Sequence, residues 1–215
     1  MYENILFEKK DGVAYLTLNR PDQLNALNSA VLKELDDALA AIDGDAEIRV
    51  LVVRGAGEKA LAAGADITEM QSMEAEAGMA FGAFGQKVFA KIEALRQPSI
   101  AMIPGFALGG GCELALACDI RIASEKARFG QPEVGLGITA GFGGTQRLPR
   151  LVGRGAASLL LFSGNMIDAA EALRIGLVDK IVPHDALAAE VSALAEGIAR
   201  QARCAVQQTK RCIRH

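Results

Sequence analysis

The chain has 215 residues, of which 51% are hydrophobic and 23% are charged, a balance typical of a globular protein. Its net charge of -3 and its 5% aromatic content lack the basic, aromatic-rich pattern of a nucleic-acid binder, so we predict no nucleic-acid partner. The apolar runs are short and predict no membrane span or membrane partner. MYENILFEKK has the pattern of neither a signal peptide nor a transit peptide, so we predict a cytoplasmic protein.

Strand and helix patterns alternate from the start of the chain. VAYLTLNRP, residues 13–21, alternates in polarity and stops at proline, which predicts a strand. A helix capped by Asn28 or Ser29 is expected next. Its core positions should be those at helical spacing: Val31, Leu32, Leu35, Leu39 and Ile42. IRVLVVRGAG, residues 48–57, is a continuous apolar run and predicts a strand buried on both faces, as in parallel sheets.

The middle of the chain continues the alternation. Residues 68–95 have helical composition with three internal glycines, so we predict two helical pieces. SIAMIPG, residues 99–105, predicts a second buried strand. GGGCELALAC, residues 109–118, predicts a turn that enters a helix, and residues 119–130 predict strand, turn and short strand. These patterns together indicate an α/β fold with a largely parallel sheet.

The last third is expected to be mostly helical. GGTQRLPRLVG and RGAASLLLFSG predict two short helical pieces, and DAAEALRIG predicts a helix closed by Gly176. LVDKIVP predicts a short strand, and DALAAEVSALAEGIARQA predicts an amphipathic helix. The sequence shows no repeat and no domain linker, so we predict a single domain over residues 1–215.

Cysteine and histidine usage argues against a metal centre. The thiols of Cys112 and Cys118 lie in an apolar run and are predicted to be buried and reduced. The chain has two histidines, His184 and His215, so we predict no histidine-based metal site.

Glu113 is a carboxylate inside the apolar run ALGGGCELALACDI. Burying an unpaired carboxylate is costly. In the first turn of a helix it could pair with the helix dipole, as many such residues do. Its neighbours, however, leave this helix no polar face on which a dipole-pairing glutamate would normally lie. Glu133 follows Pro132 in a glycine-rich stretch, where a surface position is the ordinary expectation. As a pair in apolar, glycine-rich sequence, the two glutamates are candidates for acid/base chemistry.

Four separated motifs carry a resemblance to a known family. KALAAGADITEM, GFALGGGCELALACDIRIAS, ARFGQPEVGLG and GFGGTQRLPRLVG resemble, in this order, motifs of the enoyl-CoA hydratase (crotonase) family. The likeness runs in register from about Ile5 to the last helix and is greatest to short-chain enoyl-CoA hydratases. It implies the crotonase spiral, a ClpP/crotonase-like α/β superhelix of repeated ββα units, and an acyl-CoA thioester substrate with no separate cofactor.

The resemblance also implies site residues. Glu113 and Glu133 match the two catalytic glutamates, and we assign them as general base and general acid. The backbone N–H groups of Ala65 and Gly110 match the oxyanion hole, where two fixed donors would stabilise the enolate formed during hydration. The remaining expected substrate contacts are Ala62, Ala63, Asp66, Ile67, Thr68 and Gly141. Residues 70–84 are expected to shape the acyl pocket.

Two departures from the family pattern affect the expectations. Ala140 stands where family members often have proline, which frees the backbone beside the catalytic water. Family members usually continue for several helices past the segment AVQQTK, and here the sequence given ends at His215. The resemblance implies a homotrimer or a hexamer built as a dimer of trimers, and in the family these helices make subunit contacts. Because the sequence given ends before them, we expect the C-terminal helical trimerisation segment to be largely absent.

Several alternatives stay open at this stage. Other enolate chemistry on acyl-CoA, such as isomerisation or decarboxylation, uses the same family fold, although having both glutamates favours hydration. A non-catalytic CoA-binding fragment is a second alternative. A ClpP-type serine peptidase would need a Ser/His/Asp set, and neither His184 nor His215 lies in a glycine-rich motif. A dinucleotide site is disfavoured because GAG at residues 55–57 does not complete the G-x-G-x-x-G pattern.

Overall fold

The computed structural model describes residues 2–214 and contains two sheets joined by helices. The strands are β1 (Ile5–Lys10), β2 (Val13–Leu18), β3 (Val50–Gly55), β4 (Ala60–Ala62), β5 (Ser99–Ile103), β6 (Phe106–Leu108), β7 (Ile120–Ser124), β8 (Arg128–Gly130), β9 (Ile167–Asp168) and β10 (Lys180–Val182). The helices are α1 (Ser29–Gly44), α2 (Ile67–Met70), α3 (Ala75–Ala94), α4 (Gly110–Ala117), α5 (Gly144–Ser163), α6 (Ala169–Arg174), α7 (Leu187–Ala199) and α8 (Arg203–Arg214).

The chain repeats a strand–strand–helix unit. β3, β5 and β7 lie side by side in a six-stranded sheet of order β1-β2-β3-β5-β7-β10. The strand that follows each of them lies in a second sheet of order β4-β6-β8-β9. A helix follows each pair of strands, so each unit advances one position along both sheets. The neighbours within the repeat are parallel, as the long connections between them require.

The six-stranded sheet is covered on both faces, which explains the continuous apolar runs of its strands. In β3, Leu51 and Val53 point into the larger core with α1 and α4, whereas Val50 and Val52 point to the other face. α7 covers that second face, as its amphipathic pattern predicts. The predicted buried strands at residues 48–57 and 99–105 are therefore confirmed.

α1 forms as its sequence predicts. The Asn28 side chain accepts the Val31 N–H at 2.8 Å, which satisfies one unpaired donor of the first turn. All five predicted core positions of this helix are at most 1% exposed. Asn28, and not Ser29, is the capping residue.

Glycine positions in the other helices differ from the prediction. Residues 67–94 form two helices as expected, but the break lies at residues 71–74, and the glycines lie inside α3. Gly85 is there because α3 packs closely against Phe142: a Cβ at Gly85 would lie 2.2 Å from that ring. The two pieces predicted within residues 143–164 form α5, interrupted at Gly153 where φ is 80°.

The last helix, α8, is not predicted by the sequence pattern. Its one buried residue is Lys210, which is 7% exposed and forms an ion pair with Asp119 at 2.6 Å. Lys210 also donates to the carbonyl of Gln97 at 2.9 Å. A charged side chain therefore attaches α8 to the residues that precede β5 and β7. Cys204 and Cys212 on α8 are exposed, whereas Cys112 and Cys118 are buried and free, as predicted. No helix within residues 2–214 has the length and apolar character needed to span a bilayer.

Candidate active site

A mostly apolar cavity of about 580 Å³ lies between α2, α3, α4 and the segment 132–142. The following predicted site residues line it: Ala63, Ala65, Ile67, Gly110, Glu113, Glu133 and Gly141. Met70, Met79 and Phe81 form part of its apolar wall, so Met70 and the stretch 78–83 of the predicted range 70–84 line the same cavity as the two glutamates. A cavity of this size can enclose a small acyl group.

Glu113 lies in the first turn of α4 and is 1% exposed. Its Oε1 accepts the N–H of Phe142 at 2.9 Å and the N–H of Gly144 at 2.6 Å. Gly144 is the first residue of α5, so the carboxylate lies at the amino-terminal end of α5. The dipole that favours its charge is therefore that of α5 as well as that of its own helix. The glycine at 144 is required, because a Cβ there would lie 2.9 Å from Oε1.

Burial raises the pKa of Glu113 to about 7. The hydrogen bonds from Gly144 and Phe142 and the charge of Arg147 act in the opposite direction, and the charge of Glu133 raises the pKa further. A carboxyl group with a pKa near neutrality can both take up and release a proton at physiological pH.

Glu133 lies in a 3-10 turn, Pro132–Leu136, and is 9% exposed. Burial raises its pKa above the usual range. With the Gln131 amide oriented by its hydrogen bonds, its nitrogen donates to Glu133 Oε1 at 2.9 Å. Gly109, at φ 48°, faces this carboxylate, and a Cβ at Gly109 would lie 3.0 Å from Oε1. The glycine therefore makes room for Glu133 in the cavity.

The N–H groups of Ala65 and Gly110 have no acceptor among residues 2–214. For Ala65 this follows from its bridge to Leu27, in which the flanking residues make the hydrogen bonds: Leu27 donates to Gly64, and Asp66 donates to Leu27. For Gly110 it follows from its place as the first residue of α4, where helical N–H groups are unpaired. Both residues line the cavity, so two residues with free backbone donors surround the same space as the two glutamates.

Three residues predicted to bind substrate lie outside the cavity lining. Ala62 is fully buried beneath α4. Asp66 caps α2 and forms an ion pair with Arg20 at 2.9 Å. Thr68 lies on α2 with an exposed side chain and donates its N–H to Asp66. Ala140 is buried next to the lining residue Gly141.

Sequence reasoning missed four residues that hold the glutamates. Gln131 contacts Glu133, and Phe142 and Gly144 donate to Glu113. Arg147 donates to the carbonyl of Phe142 at 2.7 Å. A usable signal was present in GFGGTQR: glycines that enter a helix leave free N–H groups, which attract a carboxylate.

The peptidase and dinucleotide-binding alternatives find no matching site within residues 2–214. Ser124 Oγ lies 3.1 Å from His184 Nδ1, and Glu58 lies 3.6 Å from the other ring nitrogen. Ser124 is fully buried, however, so it offers no nucleophile to a substrate. His215 lies outside the described residues. No helix follows Gly57 directly, as a dinucleotide-binding turn would need. Within residues 2–214, no cluster of three or more His, Cys, Asp or Glu is placed to hold a metal ion.

Comparison with known proteins assigns the chain to a family. Residues 8–215 match the enoyl-CoA hydratase/isomerase family, and the chain belongs to it. It is 53% identical over 209 residues to a crotonyl-CoA hydratase from Syntrophomonas wolfei, covering 97% of this chain and 80% of that protein. It is 54% identical over 210 residues to a short-chain-enoyl-CoA hydratase from Clostridium acetobutylicum, covering 98% of this chain and 80% of that protein.

Solved structures confirm the fold. The crystal structure of an enoyl-CoA hydratase from Bacillus anthracis superposes with a TM-score of 0.96 at 43% identity, covering 99% of this chain and 83% of that one. The predicted crotonase fold, a spiral of repeated ββα units, is therefore confirmed, and so is the resemblance on which it was based.

Proposed function

We propose that this protein is an enoyl-CoA hydratase, which reversibly adds water across the 2,3 double bond of a 2-enoyl-CoA thioester to give a 3-hydroxyacyl-CoA. One observation carries the proposal: two buried glutamates and two residues with free backbone N–H groups line a single apolar cavity. The names of the relatives from Syntrophomonas wolfei and Clostridium acetobutylicum support the same reaction.

The free N–H groups of Ala65 and Gly110 act on the thioester oxygen. When water adds to C3, the electron pair of the double bond moves through C2 to this oxygen and forms an enolate. Two fixed donors stabilise that negative charge more than they stabilise the neutral carbonyl, so they lower the barrier. Gly110 also places the positive end of α4 at the same oxygen.

The two glutamates differ in what stabilises their charged forms. Two backbone N–H groups and the end of α5 favour the anion of Glu113, so it serves as the general base that takes a proton from water. Burial raises the pKa of both glutamates, and Glu133 lacks the two backbone N–H donors that oppose this rise at Glu113, so we assign Glu133 as the general acid that protonates C2. One O–H bond of water breaks as the C3–O bond forms: one hydrogen stays on the new hydroxyl group, the other passes to Glu113, and C2 receives the proton of Glu133. Transfer of a proton from Glu113 to Glu133 then restores both groups, so the overall change is the addition of one water. No separate cofactor is needed, since coenzyme A is part of the substrate.

The surroundings of the carboxylates suggest how the substrate is held. The apolar wall from Met70, Met79 and Phe81 would contact the acyl chain, and Ala63 and Ile67 would lie along the CoA portion. Asp66 would act by capping α2, and Ala62 by supporting α4; Thr68 remains a proposed contact at the surface.

We further propose that the protein assembles as a homotrimer, or a dimer of trimers, and is cytoplasmic. Large apolar side chains exposed on and next to α5 and α6 support assembly with other copies: Leu159, Phe162, Met166 and Leu173.

Hydration of crotonyl-CoA, followed as loss of absorbance by the conjugated thioester, tests the proposed reaction. Glu113→Gln and Glu133→Gln should each lower kcat by roughly 10²- to 10⁴-fold, the usual contribution of a general acid or base. Glu196→Gln, at an exposed position on α7, is the matched control and should keep full activity. Full activity in both site variants would contradict the proposal. Double-bond migration without 3-hydroxyacyl-CoA would indicate an isomerase.

A further inference from the structure

Arg147 makes side-chain contacts to which the proposed reaction assigns no role. It lies in the first turn of α5, and its side chain is 14% exposed. One guanidinium nitrogen, Nη1, donates to the carbonyl oxygen of Phe142 at 2.7 Å. The other, Nη2, donates to Glu93 Oε2 on α3 at 2.6 Å. The planar fork of arginine therefore joins two elements that surround the cavity.

The carbonyl that Arg147 holds lies between the two N–H groups that bind Glu113. The N–H of Phe142 precedes this carbonyl in the chain, and the N–H of Gly144 follows it. Gly143, with φ 104°, lets the backbone turn sharply enough for both N–H groups to face one oxygen. The hydrogen bond from Arg147 to the carbonyl in the middle of this turn therefore fixes the direction of both N–H groups.

We propose that Arg147, held by Glu93, is a positioning residue that keeps the turn at residues 142–144 aimed at Glu113 and places a positive charge near that carboxylate. This inference rests on the proposed function, because it assigns Arg147 its role through the general base. Arg147 does not line the cavity, so it acts on Glu113 and not on the substrate.

The positive charge of Arg147 predicts the direction in which the pKa of Glu113 should change, which a purely structural role would not predict. The charged groups that bear on Glu113 come from three elements: Glu133 from the turn 132–136, Arg147 from α5 and, through Arg147, Glu93 from α3. Cys112, beside Glu113 on α4, is the neighbouring thiol. Arg147 lowers the pKa of Glu113. Removing Arg147 should therefore raise this pKa, and removing the charge of Glu93 should lower it.

Three variants test this: Arg147→Met, Arg147→Lys and Glu93→Gln. Arg150→Met is the control, since it removes the same charge from an exposed position on the same helix. Two readouts are measured against pH: kcat/KM for crotonyl-CoA, and the NMR shift of the Gly144 amide proton, which reports ionisation of Glu113 directly.

Arg147→Met should lower kcat roughly 10- to 100-fold, as misplaced catalytic groups do, and should move both pH midpoints upward. Arg147→Lys keeps the charge but cannot form the fork, so kcat should fall while the midpoints move less. Glu93→Gln should move the midpoints downward. Arg150→Met should leave kcat and both midpoints unchanged.

Two results would overturn the inference. One is a loss of kcat in Arg147→Met with no change in the Gly144 midpoint. The other is movement of that midpoint in the same direction in Arg147→Met and Glu93→Gln. If Arg147→Met does not fold, the lysine and glutamine variants still give the comparison. A native protein that does not hydrate crotonyl-CoA contradicts the proposed function, and the Gly144 titration still decides the role of Arg147.

Discussion

Replacing Glu113 with glutamine should stabilise the protein while it lowers kcat. The glutamine side chain keeps an oxygen that can accept the N–H groups of Phe142 and Gly144. It carries no charge, so it avoids the cost of ionising a carboxyl group that is 1% exposed. The expected stabilisation therefore depends on pH.

The size of the effect follows from the pKa of Glu113, which is about 7 in the folded protein against an ordinary value of 4.5. The folded-state pKa is raised, so stability from the protonated form is complete below pH 4.5 and is lost as the pH rises through 7. The full difference corresponds to about 3 kcal/mol. At about pH 5 the native protein has lost only about 1 kcal/mol of the stabilisation that comes from protonated Glu113.

Denaturation of the native protein and Glu113→Gln at about pH 5 and about pH 8 measures this difference. The advantage of the variant should grow by about 2 kcal/mol between the two conditions, which is roughly 4 to 8 °C in Tm for a chain of this size. The control Glu196→Gln should show no such growth. A stability difference between Glu113→Gln and the native protein that stays constant with pH would refute the reasoning.

Three further changes have defined outcomes. Gly109→Ala forces a side chain into positive φ and toward Glu133, so unfolding free energy should fall by about 1–2 kcal/mol and kcat should fall; unchanged kcat in the crotonyl-CoA assay would contradict this. Phe142→Ala removes a buried ring packed against two others and should cost about 3–5 kcal/mol in urea unfolding. Lys210→Met should cost about 2 kcal/mol, less than a fully buried pair because Asp119 is partly exposed, and unfolding at two pH values checks it.

Hydrophobic patterning predicted the long elements of the fold and failed on the short ones. The α1 pattern and the buried strand at residues 48–57 are strong because each repeats over many positions. β4, β6 and β8 have three residues each, too few to display a period. α8 was missed for a different reason: its buried anchor, Lys210, is a charged side chain that the apolar pattern counts as surface.

The two glutamates of the candidate site could be predicted from the sequence, but the groups that hold them in place could not. Glu113 and Glu133 stand out because each lies in apolar, glycine-rich sequence. The donors to Glu113 lie 29 and 31 residues further along the chain, and they act through backbone N–H groups that carry no sequence identity. Only the turn of Gly143 and the packing of α5 against α4 bring them to the carboxylate.

The four cysteines differ in exposure, so a thiol reagent would label only one part of the molecule. Burial raises the pKa of Cys118 to about 12 and that of Cys112 still further, so neither forms the reactive thiolate. Cys204 and Cys212 are exposed on α8, eight residues and about 12 Å apart along the helix axis. An alkylating dye would therefore mark α8 alone. Release of this helix from Asp119 could be followed by fluorescence in the unaltered sequence, with the catalytic cavity left unmodified.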